Sequence, residues 1–525
     1  MSSTNAFKKI LIFLVVLIAY VTFHALNSFA NAPVITYNIA SGDDVVQVNG
    51  NCSLTEAIQN VNTSSYTSAP NADCPHRGLN QVIVFVLPSG TITLNQSLPI
   101  IKAPVSILGQ GAQNSIINGS GLSTSIVVQD DENQGQALNY KDFSVKNIQI
   151  EPNQVFDGCL FILKKYATAI NFENLAFEDC GGNSLGLAAL PGYTNFSTRI
   201  NNIKVSSPNG DLEPSLDSGI FVYGAYNIEI SNVSVTDKPI GIFIWGTGLL
   251  SNAESNIQIT NTTLYKNIVG LTAYSENNEY GSSNQSLSMI NNTIYSNFGY
   301  GLGFGANSNT SPNGGDQLDV DLINNIIAGN KLEYNEANQP TFNNCVIGNV
   351  LQGDSQGEVN VTSGGNNLTE SNCLSVLSAN NNDVIYPDLD SSGPLTVTKM
   401  SETFGLFGNY GGLVDTLPIT SSSRALDAGR PIDNVQYDAR GLPRVVGSAI
   451  DIGAFELGEG EVIQPDPDPP IPNPIDPILE VKTLPLVART GVIFSTIIIL
   501  TTLLGLSFLS LKYLIKKRGG SLSEK

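Results

Sequence analysis

The feature that most constrains this chain is a short phrase that recurs between about residues 170 and 330. Its clearest copies are Ile259-Thr-Asn261-Thr-Thr-Leu264 followed by Gly270-Leu271, and Ile290-Asn-Asn292-Thr-Ile-Tyr295 followed by Gly301-Leu302. Ile230-Ser-Asn232-Val-Ser-Val235 with Gly241-Ile242 is a third, and in all three the Asn and the Gly are nine residues apart. With the Asn as marker, Asn174, Asn202, Asn232, Asn261, Asn292 and Asn325 advance by 28, 30, 29, 31 and 33 residues. A period of this size denotes a solenoid or a related array.

Each unit holds two short β-branched runs and no stretch of helical periodicity. Gly219 to Val222, Gly241 to Ile244 and Gly270 to Ala273 make one strand, and Ile228 to Val235 and Ile257 to Leu264 make another. Two or three strands per turn with Gly or Asn at the corners describe an all-β parallel β-helix. Asn suits such corners because it tolerates left-handed backbone. Stacked on successive coils, Asn side chains can bond to one another in a ladder. A leucine-rich repeat would need regular Leu, where these units carry Ile, Val, Phe and Tyr.

The chain has 525 residues, 14% of them charged, and a formal net charge of −21. That balance argues against a nucleic-acid partner, because phosphate binding needs a basic stripe. Neutral or cationic glycans, divalent cations, and a host or neighbouring cell surface remain as partners. The six cysteines form three sequence-local pairs: Cys52 with Cys74, Cys159 with Cys180, and Cys345 with Cys373. The last two separations approach one coil, and coils stacked about 4.8 Å apart bring such residues within disulfide reach. No metal-ligand spacing is present, and His76 is the only His beyond the N-terminal segment.

The expected domains are a signal peptide (1–32), an N-terminal cap (33–80), the β-helix (81–457), a Pro/Asp-rich spacer (458–484) and an anchor region (485–525). Lys8-Lys9, the apolar run Ile10 to Phe23 and the small residues up to Ala32 have the layout of a signal peptide. Ser53 and Glu56 have capping-box spacing for a short helix over the open first coil. The alternating prolines from Pro465 suit a stiff spacer. Val492 to Leu511 contains no charged residue, long enough for a transmembrane helix, and Lys512, Lys516, Lys517 and Arg518 follow. The positive-inside rule then places the C-terminus in the cytoplasm and the body outside the cell.

Cys52-Ser-Leu-Thr-Glu-Ala-Ile58, with Asp73-Cys74 and Gly90-Thr-Ile-Thr-Leu94, resembles the start of bacterial surface proteins named for a Cys-Ser-Leu-Arg-Glu-Ala (CSLREA) motif; Thr55 stands where those have Arg. Asn409-Tyr-Gly-Gly412, Ala425 to Gly429, Asp438 to Arg444 and Asp451-Ile-Gly-Ala-Phe-Glu456 are similar to the end of choice-of-anchor β-helix proteins. The resemblance covers about residues 50 to 457. It implies a pectate-lyase-like, right-handed parallel β-helix solenoid and surface display, with no defined reaction. Arg440 and Arg444 are expected to pair with Asp438, Asp451 or Glu456 as exposed ion pairs that fix the last turns. Leu484 to Gly491 resembles a cell-wall sorting signal, but three extra residues interrupt it, which favours a retained membrane helix.

A catalytic function must be tested on residues, because β-helices host many activities. A Gly-His-Gly signature is absent. The candidate carboxylates are Asp316, Asp319 and Asp321, of which the last two alternate onto one strand face; Asp130-Asp131-Glu132 is a second acidic cluster. No cofactor is expected from motifs, and calcium is the ion that such acids would suit. Trp245, Tyr223, Tyr274, Tyr295 and Tyr300 are the candidates for stacking on sugar rings. The sequence therefore suggests a surface adhesin or glycan-contact module. A polysaccharide lyase or hydrolase, or a passive surface-layer spacer, is the alternative. Function is expected in the interruptions around Asp130 to Tyr140, Ser275 to Ser283 and Asn307 to Gly315.

Overall fold

A computed structural model describes residues 33–63, 70–78, 81–129, 137–150, 157–164, 168–189, 197–208, 215–224, 227–247, 254–276, 284–307, 317–330, 332–334, 340–342, 345–347, 357–370, 377, 381–386, 404–461 and 463. The chain divides into two units, Met1–Pro472 and Asn473–Lys525, and the second lies outside the described residues. So do the signal segment, Val492 to Leu511, Asp316 and Cys373. No helix among the described residues is long and apolar enough to cross a membrane.

The repeat folds as a parallel β-solenoid in which each strand pairs with its counterpart one coil further on. Ala169–Cys180 lies between Ala137–Gln149 and Ser197–Ser206, which in turn pairs with Asn227–Thr236. Among the described residues, a second parallel sheet of eight strands runs from Ile126–Gln129 through Ser218–Tyr223 and Ile240–Thr247 to Cys345–Ile347. The long strands bend in the middle. Asn174 is skipped in the pairing, with Glu173 and Leu175 paired on either side of it, so each coil has three faces: two either side of the bend and one in the second sheet.

The bend is where the Asn marker acts. Asp142, Asn174, Asn202, Asn232, Asn261, Asn291, Asn324 and Asn366 stack at one corner, all with φ between 53° and 63°. This is left-handed backbone, which Asn and Asp enter more readily than other side chains. Asn174 Nδ2 donates to Asp142 Oδ1 at 2.7 Å, Asn202 to Asn174 at 2.7 Å and Asn261 to Asn232 at 3.1 Å. The aligned residues after Asn261 are Asn291 and Asn324, not Asn292 and Asn325. The nine-residue gap from Asn292 to Gly301 arises because a one-residue insertion between Asn297 and Tyr300 offsets that shift, as Asn267 sits opposite Asn297 while Val269 pairs with Tyr300.

Asn292 and Asn325 belong to a separate ladder that points inward. Asn292 Nδ2 donates to Asn325 Oδ1 at 2.9 Å, Asn325 Nδ2 to Asn367 Oδ1 at 3.1 Å, and Asn367 Nδ2 to Asp383 Oδ1 at 3.0 Å. Asn267, Asn297 and Asn330 form a third ladder at the next corner. These side chains are buried, and each also bonds main-chain groups, as buried amides must. The rest of the interior is aliphatic and aromatic: Ile170, Ile228, Ile257 and Leu287 stack in one row, and Phe172, Ile200, Ile230, Ile259 and Met289 in another.

At the N-terminal end the helix Leu54–Asn62 (α1) starts at Ser53 with a complete capping box. Its Leu54, Ala57, Ile58 and Val61 join the interior core. The stack itself begins earlier than expected, because Val34–Asn38 and Gly42–Asp44 already pair with Val82–Val86 and Gly90–Leu94. Thr55 is buried and its hydroxyl donates to Asp44, which ties α1 to that first coil. The disulfide Cys52–Cys74 closes this region. Cys159–Cys180 also forms, with Cα atoms 5.8 Å apart. Its 21-residue loop is shorter than the local coil, which is 32 residues from Ile148 to Cys180, so the bridge crosses a corner between faces. The Cys345 and Cys373 pairing lies outside the described residues.

The C-terminal segment 404–461 is not a set of last turns. It folds back along the second face of the solenoid. Asn261 Nδ2 donates to Tyr437 O, Asn324 Nδ2 to Arg430 O and Asn366 Nδ2 to Ala428 O, so the corner column grips the returning main chain. Lys204 pairs with Asp415 at 2.8 Å. The expected exposed ion pairs are buried instead. Arg440 Nε sits 2.8 Å from Asp438 with both side chains at most 1% exposed, and Arg444 Nη1 is 3.7 Å from Glu456 in the same state. Burial follows because Arg444 Nη2 reaches through to Asn261 Oδ1.

Candidate functional site

The first face, which precedes the Asn corner, is exposed and polar. Strand alternation turns every second residue outward. One outward column reads Asn171, Arg199, Glu229, Gln258, Ser288, Asp321; its neighbour reads Ser197, Asn227, Asn256, Ser286, Asp319. Between them lies a groove of about 480 Å³ that spans the coils from Asn171 to Ser288. Five coils at about 4.8 Å per step make it roughly 19 Å long.

Its chemistry is that of hydroxyls, amides and one loosely held ion pair. Arg199 Nε lies 3.8 Å from Glu229, and both side chains are more than half exposed. Such a pair is worth about 0 to 1 kcal/mol, so either partner can turn to a ligand at little cost. The column continues upstream as Asn139, which accepts from Asn171 Nδ2 at 2.9 Å. This face was signalled by the alternation Ile228-Glu229-Ile230 and Ile257-Gln258-Ile259, whose polar members were not singled out as a site.

Asp319 and Asp321 extend both columns by one coil. Asp319 accepts from Gln317 Nε2 and, at 3.0 Å, from Asn360 Nδ2, while Thr362 donates to Asp321 at 3.3 Å. Among the described residues neither has a Lys or Arg at ion-pair distance. No group of three or more His, Cys, Asp or Glu poised for a metal occurs among the described residues. Asp316 and Asp130 to Glu132 lie outside them, as do most of the interruptions where function was expected.

The five aromatic candidates separate. Tyr223, Trp245 and Tyr274 stack in one column on the outer side of the third face. They pack edge to face, with centroids 5.6 Å and 6.3 Å apart, over a patch that includes Phe161, Phe221 and Phe243. Tyr274 is only 2% exposed and Tyr295 5%. Tyr295 stacks on Tyr265 and lies 4.6 Å from Phe404 of the returning segment. Neither ring is open to a sugar, because tertiary packing has covered both. Tyr223, Trp245 and Tyr300 are half-buried, and the Tyr300 ring lies over Gly303.

Lys238 is a buried cation that the sequence did not reveal. It occupies the position preceding Asn267 in the third ladder, and its Nζ donates to Cys180 O at 2.8 Å and Gly182 O at 2.7 Å. Burial pushes its ammonium down to about 8, against the opposing pull of Asp217. A shifted, buried Lys can mark a reactive group. Here the two carbonyls hold the nitrogen inside the stack, where it ends the ladder.

No family model matches the chain, and no curated protein matches it. Among solved structures it is similar to the catalytic domain of a GH87 alpha-1,3-glucanase in complex with nigerose, at 15% sequence identity and a TM-score of 0.26. The match covers 59% of this chain and 62% of that chain, so this chain spans less than two thirds of its length. A likeness at this level transfers neither residues nor activity.

Proposed function

We propose that this protein is a right-handed parallel β-helix displayed on a cell surface, where the first face contacts an extended glycan. Right-handedness follows the strong chiral preference of parallel strand connections. The observation that carries the glycan reading is the groove between the two outward columns. Its hydroxyl and amide groups repeat on every coil, so a linear polyhydroxy chain lying along the stack meets equivalent donors and acceptors at each step. The net charge of −21 disfavours polyanionic glycans and leaves neutral or cationic ones. Two disulfides suit an oxidising location outside the cytoplasm. The apolar segment Val492 to Leu511 with its basic flank would serve as the membrane anchor, and the Pro/Asp-rich stretch as the spacer.

The test is a glycan array probed with the ectodomain, followed by titration of any hit against Arg199→Ala and Asn256→Ala variants. Each variant should weaken binding about tenfold, or about 1.4 kcal/mol. Binding unaltered in both would remove the groove from consideration. A second reading, hydrolysis, is favoured by the placement of Asp319 and Asp321 at the end of the same columns. Product analysis decides it: cleavage by the ectodomain that Asp319→Asn or Asp321→Asn abolishes would replace the binding reading with an enzymatic one.

A further inference from the structure

Among the described residues, the fold separates the Asn-x-Ser/Thr triplets by whether they are tied into the stack or stand free of it. In a secreted protein this triplet is the acceptor for an N-linked glycan. Asn232, Asn261, Asn291 and Asn367 each begin one, as do Asn51, Asn62, Asn95, Asn118, Asn284 and Asn360, while Asn195 and Asn309 begin two that lie outside the described residues. After Asn51 the triplet is buried, with Cys52 in a disulfide and Ser53 as the cap of α1. The Asn62 amide is held by Ile100 O and Lys102 N. Asn118 and Asn360 lie in paired strands, bonded to Asn147 and Asp319.

Asn232, Asn261, Asn291 and Asn367 lie in the stacked Asn columns, three of them bonded along the stack. Asn232 donates to Asn201 and accepts from Asn261. Asn261 is held between Asn232 and Tyr437 O, and Asn367 donates to Leu322 O and Asp383. Asn261, Asn291 and Asn367 are buried. A sugar on any of these nitrogens has no room between coils, and at Asn232, Asn261 and Asn367 it would also replace a donor in the stack, so a chain modified there cannot close its corner.

Asn284-Gln285-Ser286 differs in exposure but not in freedom. Asn284 is exposed, yet it opens a strand paired on both sides, with Glu254 and Gln317, and Gln285 is buried with its Nε2 donating to Tyr274 O. The triplet cannot leave the sheet to enter a transferase.

Asn95-Gln96-Ser97 meets both requirements. All three residues are exposed, and they form the bend that follows the strand Gly90–Leu94, outside the paired strands. Among the described residues, the one side-chain tie of the triplet is Ser97 Oγ to Ser123 O at 2.8 Å, an exposed bond that water can replace. That strand belongs to the second face, in register with Ser115 to Asn118, so a glycan at Asn95 leaves the first-face groove open.

We propose that Asn95 is an N-glycosylation site and that the ladder triplets stay bare. In the transfer, Asn95 Nδ2 forms a bond to the anomeric carbon of the reducing-end sugar of a lipid-linked oligosaccharide. The bond from that carbon to the lipid (di)phosphate oxygen breaks, the lipid (di)phosphate leaves with the electron pair, and the amide gives up one proton. No oxidant or reductant is needed. The site depends on export, the part of the proposed function that it shares.

The experiment is glycopeptide mass spectrometry on the full chain recovered from the outside of its native cells, alongside Asn95→Gln and Ser97→Ala variants. The expected result is a glycan on the Asn95 peptide, unmodified ladder peptides, and loss of one glycan mass in both variants with an unchanged unfolding midpoint. An exported chain with bare Asn95, or with glycan on a ladder Asn, overturns this site and leaves the surface reading standing. A chain found only in the cytoplasm overturns both.

Discussion

Asn325 and Asn291 sit one coil apart near the same corner, and the structure gives their amides opposite roles. Asn325 Oδ1 accepts from Asn292 N at 3.0 Å and Nδ2 at 2.9 Å, and its own Nδ2 donates to Met289 O at 2.8 Å and Asn367 Oδ1 at 3.1 Å. Asn325→Ala removes these four bonds at a site with no exposure. At about 1 kcal/mol each the loss is roughly 4 kcal/mol, with more if the orphaned Asn292 groups find no water. Asn291 is equally buried, but among the described residues neither Nδ2 nor Oδ1 has a partner, and its φ is 55°. Asn291→Gly keeps that backbone without steric cost and deletes an unpaired amide, so its stability should stay within about 1 kcal/mol of the parent. Equilibrium urea unfolding read by Trp245, the single Trp of the chain, measures both, because nearest-neighbour coupling carries the loss along a solenoid. Equal shifts for the two variants, or a shift below about 1 kcal/mol for Asn325→Ala, would refute the ladder accounting.

Three further outcomes are expected. Replacing Cys159 and Cys180 by Ser opens a 21-residue loop and should cost about 3 kcal/mol, read as a lower thermal midpoint than the parent when both are oxidised and no difference when both are reduced. Arg440→Met leaves the Asp438 carboxylate buried without its partner, a loss of about 3 to 5 kcal/mol. Limited proteolysis should then cut within 404–461 while the coils survive; identical digestion patterns would show that the clasp does not hold the segment. The same clasp should respond to pH. Burial raises the Glu456 carboxyl to about 7 and Asp451 to about 6, against the opposing main-chain hydrogen bonds and Arg444. Their folded values lie above the unfolded ones, so the folded state holds extra protons between about pH 4.5 and 7 and stability falls as pH rises through that window. Hydrogen exchange at the Ala454 amide, which bonds Thr293 Oγ1, should quicken from pH 5 to pH 8 beyond the intrinsic base-catalysed increase; added protection at pH 8 would reverse the assignment.

The sequence by itself determined the coil. Its period, its β-branched strands and its Asn corners are local matters: a left-handed residue must occur once per turn, and Asn meets that need wherever it falls. The capping box of α1 and the inward and outward alternation of the strands were legible for the same reason. Tertiary structure alone decided what depends on distant partners. It set the phase of the ladder at Asn291 rather than Asn292, because a single inserted residue near Phe298 is invisible to a count of gaps. It brought the first-face columns together from residues some 30 positions apart, which made a groove out of side chains that look unremarkable singly. It also folded 404–461 back onto the stack through contacts such as Arg444 with Asn261 and Lys204 with Asp415, separated by 183 and 211 residues. Those contacts turned two arginines read as exposed into buried ones and covered Tyr295, since burial depends on what returns to pack against a face, and no local pattern encodes that return.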